Sequence, residues 1–181
     1  MIKMKWDLRS FQYKYLPEFV YGGTDGAITT FAIISGVLGA SLSSSIVLIL
    51  GFANLFADGF SMAVSDYLSI KSRNDLQGKL KGTRISAMKA ALVTFASFFV
   101  IGFIPLLSFV VAVLTDFQHI MQNQFFYSAA LTLVALGIVG WFRGKVSEKN
   151  KLKSSIQTIL IGGIAGVLAF LVGYFMKSLI G

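Results

Sequence analysis

Five continuous apolar stretches, close to residues 16–39, 46–70, 86–114, 124–142 and 156–176, govern what this chain can become. Each is long enough to cross a hydrocarbon layer of about 30 Å, which takes roughly 20 helical residues at about 1.5 Å apiece. The runs do not alternate polar with apolar and are too long for barrel strands, so helices are the expected form. With 55% hydrophobic and 13% charged residues in a chain of 181, the sequence is more apolar than soluble domains, and no linker-like or low-complexity tract divides it. The reading is an all-α integral membrane protein: one domain, residues 1–181, with five transmembrane helices after a cytoplasmic or interfacial segment at residues 1–15.

Charge gives the orientation. The net charge is +8, which on a soluble chain suggests nucleic acid. Here the basic residues stand between the apolar runs, so a nucleic-acid partner is not expected. Lys3, Lys5, Arg9 and Lys14 precede the first run, six more lie from Lys71 to Lys89, and five lie from Arg143 to Lys153. The opposite connections, "ASLSSS" and "TDFQHIMQNQ", contain neither Lys nor Arg, and Lys177 alone falls near the far end. By the positive-inside rule the amino terminus is cytoplasmic and the carboxyl terminus lies on the other side. The basic connections are also expected to meet anionic lipids. Residues 1–15 mix Met1, Ile2, Trp6 and Phe11 with lysines, which fits either a short helix at the headgroups or a basic tail. They lack the apolar core and cleavage site of a signal peptide.

Cysteine is absent and histidine appears once. Thiolate and imidazole cages are therefore excluded, leaving oxygen and thioether ligands. Glycines four apart, at Gly22 and Gly26, Gly140 and Gly144, and Gly162 and Gly166, permit close helix contacts. Pro105 is expected to kink the third helix.

Chemistry enters with carboxylates placed where they are costly. An Asp near the centre of a membrane helix costs about 2.5–3.5 kcal/mol on insertion scales and is a functional hypothesis by default. Asp25 lies about 14 Å above the cytoplasmic edge, and Asp58 about 18 Å below the outer edge on the returning helix. The two are therefore nearly level, on helices that a short hairpin makes neighbours. On the second helix Asn54, Asp58, Met62 and Asp66 follow at intervals of four, so they form one slowly winding stripe. Ser61, Ser65 and Ser69 run beside it. Lipid would not tolerate such a face, so it must meet protein or water.

Oxygen ligands alone suit Mg²⁺, Ca²⁺ or Mn²⁺, whereas the Met62 sulfur shifts preference toward Fe²⁺ and other transition ions. Methionine is also common core filler, and both roles stay open for Met62. Asp66 stands between metal or proton handling at the cytoplasmic mouth and a plain role, reaching interfacial water or pairing with Lys71. Because desolvation disfavours a charged carboxylate, Asp25 and Asp58 are candidates to exchange protons for a divalent cation. Asp116, His119 and Met121 are a weaker candidate exit site, without recognised metal spacing.

These residues also carry a resemblance. The segments "YGGTDGAITTFAIISGVLGA" and "GFANLFADGFSMAVSDYLSIKS" resemble the first two helices of the vacuolar iron transporter family. The match is dense over residues 20–72; later helices agree in number, length and charge pattern. The resemblance implies a five-helix homodimer, a pathway between subunits lined by the first two helices, and proton-driven export of Fe²⁺ or Mn²⁺ from the cytoplasm. Asp25 matches the first-helix carboxylate and Met62 the second-helix methionine of that pathway. Where plant-type members have a glutamate eight residues before the methionine, this chain has Asn54, with Asp58 one turn later. The glutamate-rich cytoplasmic domain that transporters insert between helices two and three is replaced here by the basic "KSRNDLQGKLKGTR".

Enzyme readings fail on motif. Asp25-Gly26 continues to Thr29 and Thr30 without the arginine and further aspartates of CDP-alcohol phosphotransferases. Glu18 and Glu148 are the sole glutamates, too few for a di-iron site. The expectation is therefore a non-enzymatic divalent metal transporter without a resident cofactor, whose partners are metal ions, protons, lipid and a second copy of itself. A non-transporting membrane scaffold is the alternative. The lack of an organellar extension favours a prokaryotic cell membrane.

Overall fold

The computed structural model describes residues 2–77, 85–115 and 118–180. Among them are five helices and no strand: α1 (Ile2–Gly39), α2 (Ser44–Gln77), α3 (Ala87–Thr115), α4 (Gln118–Val146) and α5 (Lys151–Ile180). The amino-terminal segment and the first apolar run form one continuous helix through Pro17. Likewise α3 continues through Pro105 as a single helix. Among the described residues, non-helical backbone inside a helix is found at Asn123 in α4 (φ −117°, ψ 16°), just before the fourth apolar run.

Four helices, over Ser44–Leu76, Ala87–Thr115, Gln118–Lys145 and Lys151–Ile180, are long and apolar enough to cross a membrane. The first is not among them. Its glycines, its threonines and Asp25 dilute the apolar run, and the arrangement explains why this is tolerated. Helix α1 touches each of the other four, while α2, α3, α4 and α5 follow one another in an arc around it. Among the described residues α2 and α5 do not meet, so the arc stays open on one side of α1. A helix enclosed by protein has less need of apolar side chains than one facing lipid. On α5 the reverse holds: Ile164, Val167, Leu168, Val172 and Phe175 all point outward. So broad an apolar surface belongs in a bilayer, and the chain is a multi-pass membrane protein.

Close packing holds α1 in place. At Gly22 an added Cβ would overlap the Thr94 carbonyl and the Ser97 hydroxyl, and at Gly26 the Phe98 carbonyl. Backbone contact of this kind needs glycine. Toward the far side, Ile34, Val47, Leu55, Phe98 and Leu106 form the main apolar core between α1, α2 and α3. The α1–α2 turn is a Schellman cap: Leu42 N–H donates to Val37 O at 3.0 Å and Ser41 N–H to Leu38 O at 2.9 Å. Lys177 Nζ donates to Ser41 Oγ at 2.9 Å, so the end of α5 lies beside that turn. At the other end Asn74 brackets the start of α3, donating to Ile85 O at 2.6 Å and accepting from Ile85 N–H at 3.3 Å.

Candidate functional site

The short cap after Gly39 returns α2 along α1, and this places the acidic residues of the two helices opposite one another. Asp25 and Asp58 are each partly buried and close enough to interact electrostatically. Asn54, one turn from Asp58, donates through Nδ2 to Thr29 Oγ1 at 3.3 Å. Thr29 in turn donates to the main-chain oxygen of Asp25 at 2.8 Å. This relay fixes α2 against the turn of α1 that carries the aspartate, and it commits the Asn54 amide nitrogen to protein.

The remainder of the stripe diverges. Met62 is 8% exposed and belongs to the apolar core with Leu55 and Phe98, so its sulfur is packed as core filler would be. Asp66 accepts a hydrogen bond from Thr94 Oγ1 at 2.7 Å. An ion pair with Lys71 does not form: the Lys71 ammonium lies over the Tyr67 ring, 5.9 Å from its centre. Beside the stripe, Ala53, Ala57, Ser61, Ser65 and Ser69 make an exposed face of small residues on α2. The candidate exit site is not assembled among the described residues. Asp116 lies outside them, and His119 Nδ1 faces the Tyr127 hydroxyl at 3.2 Å.

Sequence reasoning passes over Glu18. Its side chain is 8% exposed on α1, in electrostatic reach of Asp66 and Arg73. The signal was in the spacing: Glu18 and Asp25 are seven apart on one helix, Asp58 and Asp66 eight apart on its antiparallel neighbour. Such spacings repeat on one helical face. Among the described residues no three His, Cys, Asp or Glu side chains gather as a metal cage. One chain thus offers carboxylates in pairs, which a metal must supplement with waters, neutral oxygens or a second chain.

The VIT family model matches residues 16–84 and 78–174, and the chain belongs to this family of membrane proteins. It is 25% identical to a "Vacuolar iron transporter" of Plasmodium berghei, covering 91% of this chain and 83% of that one. It is 26% identical to a "Vacuolar iron transporter" of Toxoplasma gondii, covering 92% and 76%. A "Vacuolar iron transporter homolog 1" of Arabidopsis thaliana is 29% identical, covering 93% and 84%. The Plasmodium alignment spans 226 positions, more than this whole chain of 181, so that relative carries insertions. The Arabidopsis alignment spans only 178. The two parts of the family match meet at residues 78–84, in the short basic α2–α3 connection. These relatives are eukaryotic, and they lend no support to the expectation of a prokaryotic membrane. They are named as transporters or as a transporter homolog, not as enzymes.

Proposed function

We propose that this protein exports divalent transition-metal ions, Fe²⁺ or Mn²⁺, from the cytoplasm in exchange for protons. The observation that carries the proposal is the pairing of Asp25 on α1 with Asp58 on α2, partly buried on two helices packed in the body of the bundle. Two carboxylates at mid-membrane depth repel one another unless protons or a cation compensate them. Alternation between those two fillings is the elementary step of an antiporter. In this proposal Asp25 and Asp58 bind the ion. Asn54 holds the turn above them and offers its amide oxygen, and Met62 supplies a soft ligand once its side chain turns out of the core.

The working unit is a homodimer. The open side of the arc exposes Tyr21 and leaves Asp25 partly accessible, next to the small-residue face of α2. A two-fold copy set there brings two Asp25–Asp58 pairs toward one axis and completes a ligand set that one chain lacks. The amino terminus is cytoplasmic, α1 is the fifth membrane crossing, and protein rather than lipid surrounds it. Anionic lipid meets the α4–α5 connection, where the ammoniums of Lys145 and Lys151 each lie 5.3 Å from the centre of the exposed Trp141 ring.

The deciding experiment is uptake of Fe²⁺, Mn²⁺, Co²⁺ and Zn²⁺ into proteoliposomes with and without a pH gradient. Metal-dependent proton movement is expected from the native protein and not from Asp25→Asn or Asp58→Asn. Unchanged flux in both variants removes the pair from this role, and absence of flux from the native protein favours the scaffold alternative.

A further inference from the structure

The acidic residues of α1 and α2 lie in two tiers, and the lower tier has no part in the reading above. From Asp25 down to Glu18 the chain descends about 10 Å, and from Asp58 to Asp66 about 12 Å, at about 1.5 Å per residue. The two steps match, so Glu18 faces the level of Asp66 as Asp25 faces that of Asp58. Helix α3 closes the lower tier. Gly22, one turn above Glu18, seats α1 on the Thr94 carbonyl, while the Thr94 hydroxyl holds Asp66 Oδ2 at 2.7 Å.

What marks this tier as a ligand site is the state of Glu18. Its side chain is more than nine-tenths buried, and Oε2 is closed off from solvent with no hydrogen-bond partner. The main chain at Glu18 supports the carboxyl group, and the charges that act on it are Asp66, which repels, and Arg73, which attracts. A buried carboxylate oxygen without a partner is costly unless something positive occupies the space it faces. Below, Tyr15, Ile70 and Ala90 are buried together about one turn beneath Glu18, Asp66 and Thr94 respectively.

We propose that Glu18 and Asp66, with the Thr94 hydroxyl, form a second divalent-cation site, a waiting station on the cytoplasmic side of Asp25 and Asp58. The proposal rests on the transport reading above. Two carboxylates, a hydroxyl and retained waters form an all-oxygen set, which suits Mn²⁺ and also accepts Fe²⁺. No sulfur takes part, so this tier collects divalent ions broadly and leaves discrimination to the upper one. Arg73, whose charge reaches Glu18, competes with the ion for the same negative charge.

The test is Mn²⁺ binding to the purified full-length protein in nanodiscs, read by loss of the free-ion electron paramagnetic resonance signal. Asp25→Asn/Asp58→Asn is expected to retain one Mn²⁺ per chain, and adding Glu18→Gln to abolish it. Glu18→Gln or Asp66→Asn alone should weaken one class of sites by about tenfold or more, the scale on which loss of a supporting contact weakens metal binding. Glu18→Asp should restore part of that loss, and Arg73→Gln should tighten binding; monodisperse elution of each variant separates these effects from misfolding. If the native protein binds and transports Mn²⁺ while Asp25→Asn/Asp58→Asn binds none, the waiting station is overturned and the transport reading stands. If the native protein neither binds nor transports any ion, both fall.

Discussion

Thr94 on α3 donates a 2.7 Å hydrogen bond to the Asp66 carboxylate on α2, while the Thr94 backbone forms the seat for Gly22 of α1. One residue thereby joins three helices at one end of the fold. The Thr94 side chain is fully buried, so replacing its hydroxyl with a methyl leaves the acceptor without its partner. Thr94→Val should lower stability by about 1–3 kcal/mol through that loss. Thr94→Ser, which keeps the hydroxyl, should retain most of it. Thermal unfolding in detergent compares the two, and equal melting temperatures would show that the bond contributes nothing.

Glycine substitutions should separate close approach from simple flexibility. An added methyl at Gly22 or Gly26 meets the backbone carbonyls of Thr94 and Phe98, which have no rotamer by which to yield. Gly22→Ala and Gly26→Ala should each destabilise by about 1–3 kcal/mol, the usual cost of overpacking, and displace α1 from α3. Gly163 on α5 has nothing within 4 Å of the added Cβ. Gly163→Ala should be neutral or stabilising by up to about 1 kcal/mol, from helix propensity alone. A matching loss at Gly163 would mean that helix–helix contact is not the cause.

Much of this architecture was legible because membrane helices write themselves as long apolar runs, and because a two-turn repeat of carboxylates is visible without a structure. The approach of Asp25 to Asp58 followed from counting rise along two antiparallel helices. Three things were not legible. The central position of α1 depends on which helices touch, and its dilution by Gly22, Gly26, Thr29 and Thr30 reads equally well as weak membrane character. Asp66 had a cation nearby in sequence, Lys71, yet it bonds to a hydroxyl 28 positions later, a pairing that only packing creates. Glu18 was passed over because it stands at the edge of an apolar run, where a carboxylate normally reaches water; here it is buried.

The cap between α1 and α2 carries a strained position. Ser41 has φ 55°, in the left-handed region, at the point of the Schellman cap that glycine usually fills. That conformation costs a residue with a Cβ roughly 1–2 kcal/mol. Against this stands the exposed hydrogen bond from Lys177 to the Ser41 hydroxyl, which water readily replaces. Ser41→Gly should therefore raise stability by about 1 kcal/mol, less the small contribution of that bond. Thermal unfolding of Ser41→Gly beside Ser41→Ala checks this: alanine, which loses the bond and keeps the strain, should fall below the native protein.

Met62 offers the sharpest division between packing and ligation. Its side chain is in the apolar core with Leu55 and Phe98, at a position one turn from Asp58 and one turn from Asp66. Met62→Leu conserves volume and should cost less than about 1.5 kcal/mol, leaving the fold intact. If the sulfur serves only as filler, transport of every ion should be unchanged. The proposed function predicts otherwise: loss of the one soft ligand should lower Fe²⁺ and Co²⁺ flux while Mn²⁺, which is content with oxygen, is affected least. Flux of the three ions through Met62→Leu and native proteoliposomes, normalised to Mn²⁺, reads this directly. A uniform ratio across the series would return Met62 to the core and leave selectivity to the oxygens of Asp25, Asp58 and Asn54.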